Sequence, residues 1–358
     1  MNVLINATSA VIGGGVTVLR QLLPALLQAD EGRHRYLVAA RAEVAVEIDP
    51  QDRRVTFEIP RLLSRPLWEQ VSLPRLPCDV LFSPANVASF ASRAPQVLLF
   101  QNAAPFDKEV RERADGPGRL RLEALRGLGI ASAQRASRVV FLSEQARALT
   151  LPQLFIAPGK TSVVQLGSDP SFAPGAGDGD ALCVSQLYFY KNIVELIEAF
   201  ALALPQLPAD ARLAIAGAQP EPAYTARIKA TIARLGVGDR VRLLGNVLRH
   251  DLPALYAKAR LFLFPSTCES FPNILLEALA SGLPSIVSKR GPMEEIAGDA
   301  AVYVDPFDVP GMAAEIVRLW QDEPARAELR RRAIKRSARF SWLDTGKGIL
   351  RALEEAAA

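Results

Sequence analysis

The chain has 358 residues, more than one hydrophobic core usually serves, so we expect two domains. Hydrophobic residues make up 49% of it and charged residues 22%, a balance typical of globular and not of disordered proteins. The formal net charge of +4 is too small by itself to indicate a nucleic-acid-binding protein.

Targeting and covalent features point to the reducing cytoplasm. The apolar runs are shorter than the roughly 20 residues that span a membrane. The first residues, MNVLINATSA, have no basic segment and favour a buried strand over a signal peptide. The cysteines are scattered and lack metal-ligand spacing, which argues against a disulfide framework or a zinc site; they are Cys78, Cys183 and Cys268.

The N-terminal half begins like a Rossmann-type unit. A strand at 2–8 precedes a glycine turn at 12–15 and a helical pattern through Leu27. Gly14 and Gly15 would let the backbone approach a phosphate or sugar closely, but no full GxGxxG supports a dinucleotide. Further strands are predicted at 36–39, 55–59, 80–83, 97–100 and 139–143.

The excess positive charge lies in this half. Residues 1–170 hold 20 Lys/Arg against 16 Asp/Glu, and residues 108–147 hold nine against five. A basic amphipathic segment can contact an acidic membrane surface or a phosphorylated, lipid-linked acceptor. Acidic residues interrupt the run, so we favour a solvated helix face over membrane insertion and leave peripheral association at the inner membrane face open.

The second half repeats the alternation of strands and helices. Residues 163–180 are rich in Gly, Pro, Asp and Ser, which indicates a linker, placed at 166–180. Alternation of this kind favours a parallel sheet covered on both faces, so the class is α/β with two Rossmann-like halves. Strands are predicted at 181–185, 212–216, 241–244, 261–264, 284–288 and 301–304, and helices from 192, from about 223, and at 252–259 and 273–280.

The stretch 261–284, LFLFPSTCESFPNILLEALASGLP, carries the chemistry. It predicts a buried strand, a polar loop containing Glu269, and a helix containing Glu277, with Pro272 in its first turn and Gly282 at its stop. Loops at the carboxyl ends of parallel strands, next to helix N-termini, bind phosphorylated ligands. Two acids there suggest a ligand that is also rich in hydroxyls.

The second half resembles the family 4, or group 1, glycosyltransferases, which have the GT-B fold. The resemblance is carried by LLGNV, LPALYAKARLFLFPS, ESFPNILLE, ALASGLP and GPMEEIAGDAAVYVDP, with KN at 191–192 and QLGSDPSFAP at 165–174. It implies an acceptor-binding domain at 1–165, a donor-binding domain at 181–344, and a final helix at 345–358 that returns to the N-terminal domain.

The resemblance also implies roles for single residues. Lys191 would neutralise the donor phosphate, Glu269 would lie against the donor sugar, and Glu277 would accept hydrogen bonds from the ribose. The alternative is that these groups are solvated, although an acid at Glu277, among leucines, is costly without a partner. The other expected donor-binding residues are Gly14, Gly15, Gln186, Gly217, Gly245, Ser270, Phe271, Pro272, Asn273, Ile274 and Glu295.

Two positions depart from the family pattern. Gln186 stands where the family usually has an arginine, and Gln101-Asn102 where many members have a histidine. We expect surface or capping roles for His34 and His250. Since the family transfers with retention, the leaving phosphate would take the acceptor's proton, with Asn102 catalytic in orienting the acceptor or sugar. A simple strand-end role for Asn102 is nearly as well supported.

We expect no metal and no cofactor. The Asp178-Gly179-Asp180 sequence resembles a metal-binding DxD but follows no apolar strand, so we interpret it as a turn. The expected partners are a UDP or GDP sugar and a glycan, lipid-linked or small-molecule acceptor, without nucleic acid. Two alternatives remain: a nucleotide-sugar epimerase, which would convert the donor without an acceptor, and a non-catalytic nucleotide-sugar binding subunit.

Overall fold

The structure is a computed structural model and describes residues 1–10, 14–60 and 64–358. It divides into two compact units, one of Met1–Gly167 with Phe340–Ala358 and one of Ser168–Arg339. Each unit has a parallel sheet with helices, so the predicted α/β class with two Rossmann-like sheets is confirmed. Of the predicted glycine turn, Ile12 and Gly13 lie outside the described residues.

The sheet of the first unit has seven parallel strands within the described ranges, in the order β3-β2-β1-β4-β5-β6-β7. Its central strands are buried along their whole length because helices cover both faces. The strands are β1 (Asn2–Asn6), β2 (Arg35–Ala39), β3 (Val55–Glu58), β4 (Val80–Ser83), β5 (Gln96–Phe100), β6 (Arg138–Phe141) and β7 (Thr161–Val163). The helices are α1 (Gly14–Ala29), α2 (Ala42–Ile48), α3 (Arg65–Val71), α4 (Lys108–Arg113), α5 (Gly116–Arg135) and α6 (Glu144–Leu154).

The sheet of the second unit has the order β10-β9-β8-β11-β12-β13 in the part of the chain that the structure describes. Its strands are β8 (Ala181–Val184), β9 (Leu213–Ala216), β10 (Val241–Gly245), β11 (Leu261–Phe264), β12 (Ser285–Ser288) and β13 (Ala301–Val304). Its helices are α7 (Ile193–Ala203), α8 (Pro222–Leu235), α9 (Leu252–Lys258), α10 (Asn273–Ala280), α11 (Met293–Ala297), α12 (Val309–Gln321) and α13 (Glu323–Ser337).

Both sheets reverse their strand order at one place. In the first sheet β1 lies between β2 and β4, and in the second β8 lies between β9 and β11. Loops leave such a pair of strands in opposite directions, which opens a crevice outside their carboxyl ends. A ligand site is therefore expected beyond β1 and β4 in one unit, and beyond β8 and β11 in the other.

The last helix, α14 (Trp342–Ala357), belongs to the first unit and packs against α1. The crossing is close: a Cβ on Gly346 would lie 2.5 Å from the carbonyl oxygen of Ala25. His34 also contacts α14, because its Nε2 lies 3.2 Å from Oε1 of Glu354. The expected surface or capping role of His34 is therefore wrong, because its half-buried ring joins two parts of the unit.

The contact of α1 with α14 gives a stability prediction. Gly346→Ala should lower the free energy of unfolding by about 2 kcal/mol, because the added methyl group overlaps backbone atoms. Gly127→Ala is the matched control: its Cβ meets nothing within 4 Å inside α5, so helix propensity should raise stability by about 0.5–1 kcal/mol. Urea denaturation followed by circular dichroism measures both, and equal stabilities would contradict the close crossing.

Candidate functional site

Two loops meet at the switch point of the second unit, one following β8 and one following β11. The carbonyl oxygen of Tyr190 accepts hydrogen bonds from the amide and the hydroxyl of Thr267, at 2.9 and 3.0 Å. Asn192, in a left-handed conformation with φ of 54°, donates from Nδ2 to the carbonyl oxygen of Pro265 at 2.8 Å. These bonds fix the two loops relative to each other.

Lys191 and Glu269 form an ion pair between these loops, Nζ to Oε1. Their side chains are 11% and 14% exposed, so the alternative of two solvated surface groups is wrong. The Lys191 ammonium lies 5.1 Å from the centroid of the Tyr190 ring and 5.6 Å from that of Phe264, where the aromatic faces attract a cation. The fold thus joins two predicted site residues that lie 78 positions apart.

Glycines let the neighbouring strand ends approach the same loops. Gly217 has a φ of +152°, and any Cβ there would collide with the carbonyl oxygen of Ser185. Its amide donates to the carbonyl oxygen of Gly245 at 2.7 Å. Gln186 follows Ser185 and is exposed. Gln186, Gly217 and Gly245 therefore lie at the ends of three neighbouring strands.

Helix α10 begins at Asn273, directly after the buried residues Ser270, Phe271 and Pro272. Asn273 and Ile274 are half-buried in its first turn. Glu277, three residues after Ile274, is only 6% exposed. Glu295 lies in α11, where its carbonyl oxygen accepts a hydrogen bond from Arg336 at 2.5 Å.

The partner of Glu277 is Arg249, which the sequence alone does not reveal. Arg249 donates from Nη1 to Oε1 of Glu277 at 2.5 Å and from Nη2 to Oδ2 of Asp169 at 2.6 Å. Its guanidinium carbon lies 5.0 Å from the centroid of the Phe172 ring. The sequence did indicate that Glu277 needs a partner, because an acid among leucines is costly when unpaired. The prediction of a ligand as that partner was incomplete, since Arg249 already binds one of its oxygens.

Arg249, Glu277 and Asp169 form a triad, in which the pKa values of the two acids are shifted in opposite directions. Burial raises the pKa of Glu277, and Arg249 opposes that rise only in part. Burial also acts to raise the pKa of Asp169, but hydrogen bonds from Ser171 and Arg249 bring it below its ordinary value. The Tyr256 hydroxyl lies beside the Glu277 carboxylate and also acts against the rise of its pKa, but it donates to the carbonyl oxygen of Ile274 at 3.2 Å. Oε2 of Glu277 is buried and, among the described residues, receives no hydrogen bond of good geometry, so it can accept one from a ligand.

The predicted residues of the first unit lie at two of its strand ends. After β5, the side chain of Asn86 holds the loop by accepting from the amides of Gln101 and Asn102 at 2.9 and 3.1 Å. Asn102 accepts from the amide of Ala104 at 3.1 Å, and its Nδ2 has no partner in the described part of the chain. Gly14 and Gly15 are the first residues of α1.

The Asp178-Gly179-Asp180 segment is held as irregular chain. Asp180 pairs with Arg242, and the Gly179 amide donates to the carbonyl oxygen of Lys258 at 2.8 Å. Within the described ranges, no three His, Cys, Asp or Glu side chains gather in a way that could hold a metal ion. Over the same ranges, no helix combines the length and the apolar composition needed to cross a membrane.

The second half of this chain is similar to known glycosyltransferases. The model of the family "Glycosyl transferases group 1" matches residues 170–337. The O-antigen chain mannosyltransferase B of Escherichia coli is 39% identical over 102 residues, which are 28% of this chain and 27% of that protein. The exopolysaccharide phosphotransferase SCO2592 of Streptomyces coelicolor is 29% identical over 314 residues, 82% of this chain and 32% of that protein. This chain thus covers about a third or less of either relative.

A solved structure covers the whole fold. Alr3699/HepE of Anabaena, in complex with UDP-glucose, superposes with a TM-score of 0.78 at 19% identity over 99% of each chain. A likeness at this identity concerns the fold, and it confirms the predicted GT-B architecture.

Because Arg249 pairs with Glu277 and Asp169, we expect its removal to make the free energy of unfolding depend on pH. A carboxyl whose folded pKa is raised binds its proton more tightly in the native state, so its contribution to stability falls as pH rises through that pKa. Arg249→Met removes the opposing cation and should cost about 3 kcal/mol at about pH 8, and less at about pH 5. Urea denaturation across this range measures the effect.

Adding Glu277→Gln to Arg249→Met is the control for this prediction. With no ionisable group at 277, the additional loss of stability at high pH should disappear. A double variant that keeps the loss would show that another group causes it.

Proposed function

We propose that this chain, whose residues 170–337 match the model of the glycosyl transferases group 1 family, is a hexosyltransferase. It moves a hexose from a UDP or GDP sugar to a glycan, lipid-linked or small-molecule acceptor, with retention of the anomeric configuration. The observation that carries the proposal is the buried pair of Lys191 and Glu269 at the switch point of the second unit.

The pair suits the two charges that a nucleotide sugar brings. The departing diphosphate needs a cation and aligned backbone amides, in a place that excludes water. Lys191 supplies the cation, and the N-termini of α7 and α10 follow the same two loops. When the diphosphate binds Lys191, Glu269 is released to accept hydrogen bonds from the sugar hydroxyls. Until then Glu269 holds Lys191 in position through the ion pair.

Glu277 suits the ribose. Arg249 occupies Oε1, while Oε2 has no partner within the described ranges. A ribose hydroxyl that donates to Oε2 would satisfy the buried oxygen and remove the free-energy cost of leaving it unpaired. Gln186 and Glu295 complete the proposed donor contacts, and the glycine backbones of Gly217 and Gly245 adjoin the base.

Retention without a protein base fits the side chains of the first unit. Gln101 and Asn102 are amides, which do not take protons at neutral pH. We therefore assign the acceptor's proton to the departing phosphate oxygen as the new glycosidic bond forms on the same face of the sugar. Asn102 orients the acceptor through its unpartnered Nδ2, and Gly14 and Gly15 lie at the first switch point.

Peripheral membrane contact belongs to the proposal as a way to reach a lipid-linked acceptor. The outward side of α5 carries Leu120, which is 73% exposed, and Leu128, with Arg119 and Arg121 exposed beside them. Exposed apolar and basic residues on the same helix suit the interface of an anionic membrane. The proposed location is the cytoplasm and the inner membrane face.

Substitutions of the ion pair test the donor site. Lys191→Met and Glu269→Gln should each lower the rate of transfer from UDP-glucose or GDP-mannose by about 100-fold or more. Lys289→Met is the matched control, since Lys289 also follows a strand of this sheet and pairs with an acid, Asp305, at 3.7 Å, but is 55% exposed. It should act like the parent. Parent-like rates in the first two variants would remove the assignment.

The metal proposal has its own test. Activity should survive EDTA, because Lys191 and helix N-termini carry the charge of the diphosphate. Loss of activity in EDTA, followed by recovery with Mn²⁺, would contradict this.

A further inference from the structure

A buried acid, Glu69, lies at the switch point of the first sheet and is not among the site residues described above. β1 ends at Asn6 beside the end of β4, in the register of Ile5 with Phe82. Oε1 of Glu69, on α3, accepts hydrogen bonds from Nδ2 of Asn6 at 3.3 Å and from Oγ1 of Thr8 at 2.5 Å. Arg65, one turn earlier on α3, lies 3.3 Å from the same oxygen.

Glu69 is a buried acid with only one of its two carboxylate oxygens paired. The residue is 5% exposed, although α3 turns Leu67 and Val71 outward to solvent. All three contacts fall on Oε1, and in the described part of the chain no group hydrogen-bonds Oε2. A carboxylate offers about four acceptor positions on its two oxygens, so half of the capacity of Glu69 is unused. The unpaired oxygen can therefore accept a hydrogen bond from a donor outside the chain.

Hydrogen bonds connect Glu69 with the strand ends that carry Asn102. Its carbonyl oxygen accepts from the hydroxyl of Ser89 at 2.8 Å, in the loop after β4. The same loop contains Asn86, which holds the backbone of Gln101 and Asn102 after β5. One network therefore fixes the carboxyl ends of β1, β4 and β5, the positions where an open parallel sheet binds ligands.

The chemistry of this network favours hydroxyl groups over phosphate. Its side chains are amides, hydroxyls and one carboxylate, and its cation, Arg65, already faces that carboxylate. A phosphate at Glu69 would meet a like charge, whereas a sugar hydroxyl can donate to Oε2 and accept from an amide.

We propose that Glu69 is an acceptor-binding residue, which accepts a hydrogen bond from a hydroxyl of a neutral sugar at the first switch point. The inference rests on the proposed transferase function and deepens it, because it selects a neutral, polyhydroxylated acceptor terminus. Arg65, Asn6 and Thr8 hold the carboxylate in the orientation that presents Oε2.

Glu69→Gln tests the role with little change of size. The donors are UDP-glucose and GDP-mannose, and the acceptor probes are methyl α-mannoside, methyl α-glucoside and N-acetylglucosamine, with mannose 6-phosphate as the anionic probe. We expect the KM for the neutral acceptor to rise about tenfold or more. The KM for the donor and the hydrolysis of donor without acceptor should stay at the parent values.

Ser89→Ala is the control for a merely structural role. It removes the hydroxyl that donates to the Glu69 carbonyl oxygen but keeps the carboxylate. It should lower the melting temperature by about 3 °C and leave the acceptor KM unchanged. Should Glu69→Gln fail to fold, Glu69→Asp carries the same test, because it keeps the charge but withdraws the oxygens.

The remaining outcomes separate this inference from the function beneath it. A parent chain that neither binds nor hydrolyses either donor overturns the transferase function and the acceptor role with it. Normal donor hydrolysis with an unchanged acceptor KM in Glu69→Gln overturns the role of Glu69 alone. Equal losses with donor and acceptor make Glu69 structural. The proposal of a neutral acceptor is overturned if product forms only with mannose 6-phosphate, or if none of the neutral probes gives product.

Discussion

The ion pair of Lys191 with Glu269 is the interaction on which the second unit's chemistry depends. Removing two charges from water is expensive, and their attraction compensates only when the geometry is good and further partners are present. The sheet order supplies that geometry, since it sets β8 beside β11 although 78 positions separate the two side chains. The hydrogen bonds of Tyr190 with Thr267, and of Asn192 with Pro265, then keep the loops from separating.

Much of the fold follows from local pattern. The predicted bounds of β4, β11 and β13 match the structure because each is a short apolar run between turn signals. β7 was not predicted, since it has three residues, Thr161–Val163, and none is fully buried, so no hydrophobic pattern marks it. Strand order is another matter: periodicity identifies a strand but does not say which strand lies beside it. The sequence suggested where the strands meet at a ligand site only through the general preference of ligands for switch points in parallel sheets.

The candidate site divides in the same way. Lys191, Glu269 and Glu277 could be predicted from the sequence because each stands in a recognisable motif that follows a predicted strand. Arg249 and Asp169 were not, because an arginine in a polar turn and an aspartate in a linker look like solvated residues until tertiary packing brings them together. Glu69 was hidden for a different reason. Its helix exposes Leu67 and Val71 and buries the acid beside Trp68, so the apolar residues do not mark the buried face.

Glu69 and Glu277 share one electrostatic arrangement in two separate sheets. Each is buried and faces an arginine through Oε1. Oε2 of Glu277 is buried without a partner in the described part of the chain, and the contacts of Glu69 there all fall on its Oε1. In Glu277, burial raises the pKa of the carboxyl and the arginine opposes that rise. The remaining oxygen can then only accept a hydrogen bond, so it selects a donor such as a hydroxyl and rejects a phosphate. In the proposed function, the charged diphosphate and the neutral hydroxyls of the substrates are therefore bound at separate places: Lys191 binds the diphosphate, and the two half-paired acids bind sugar hydroxyls.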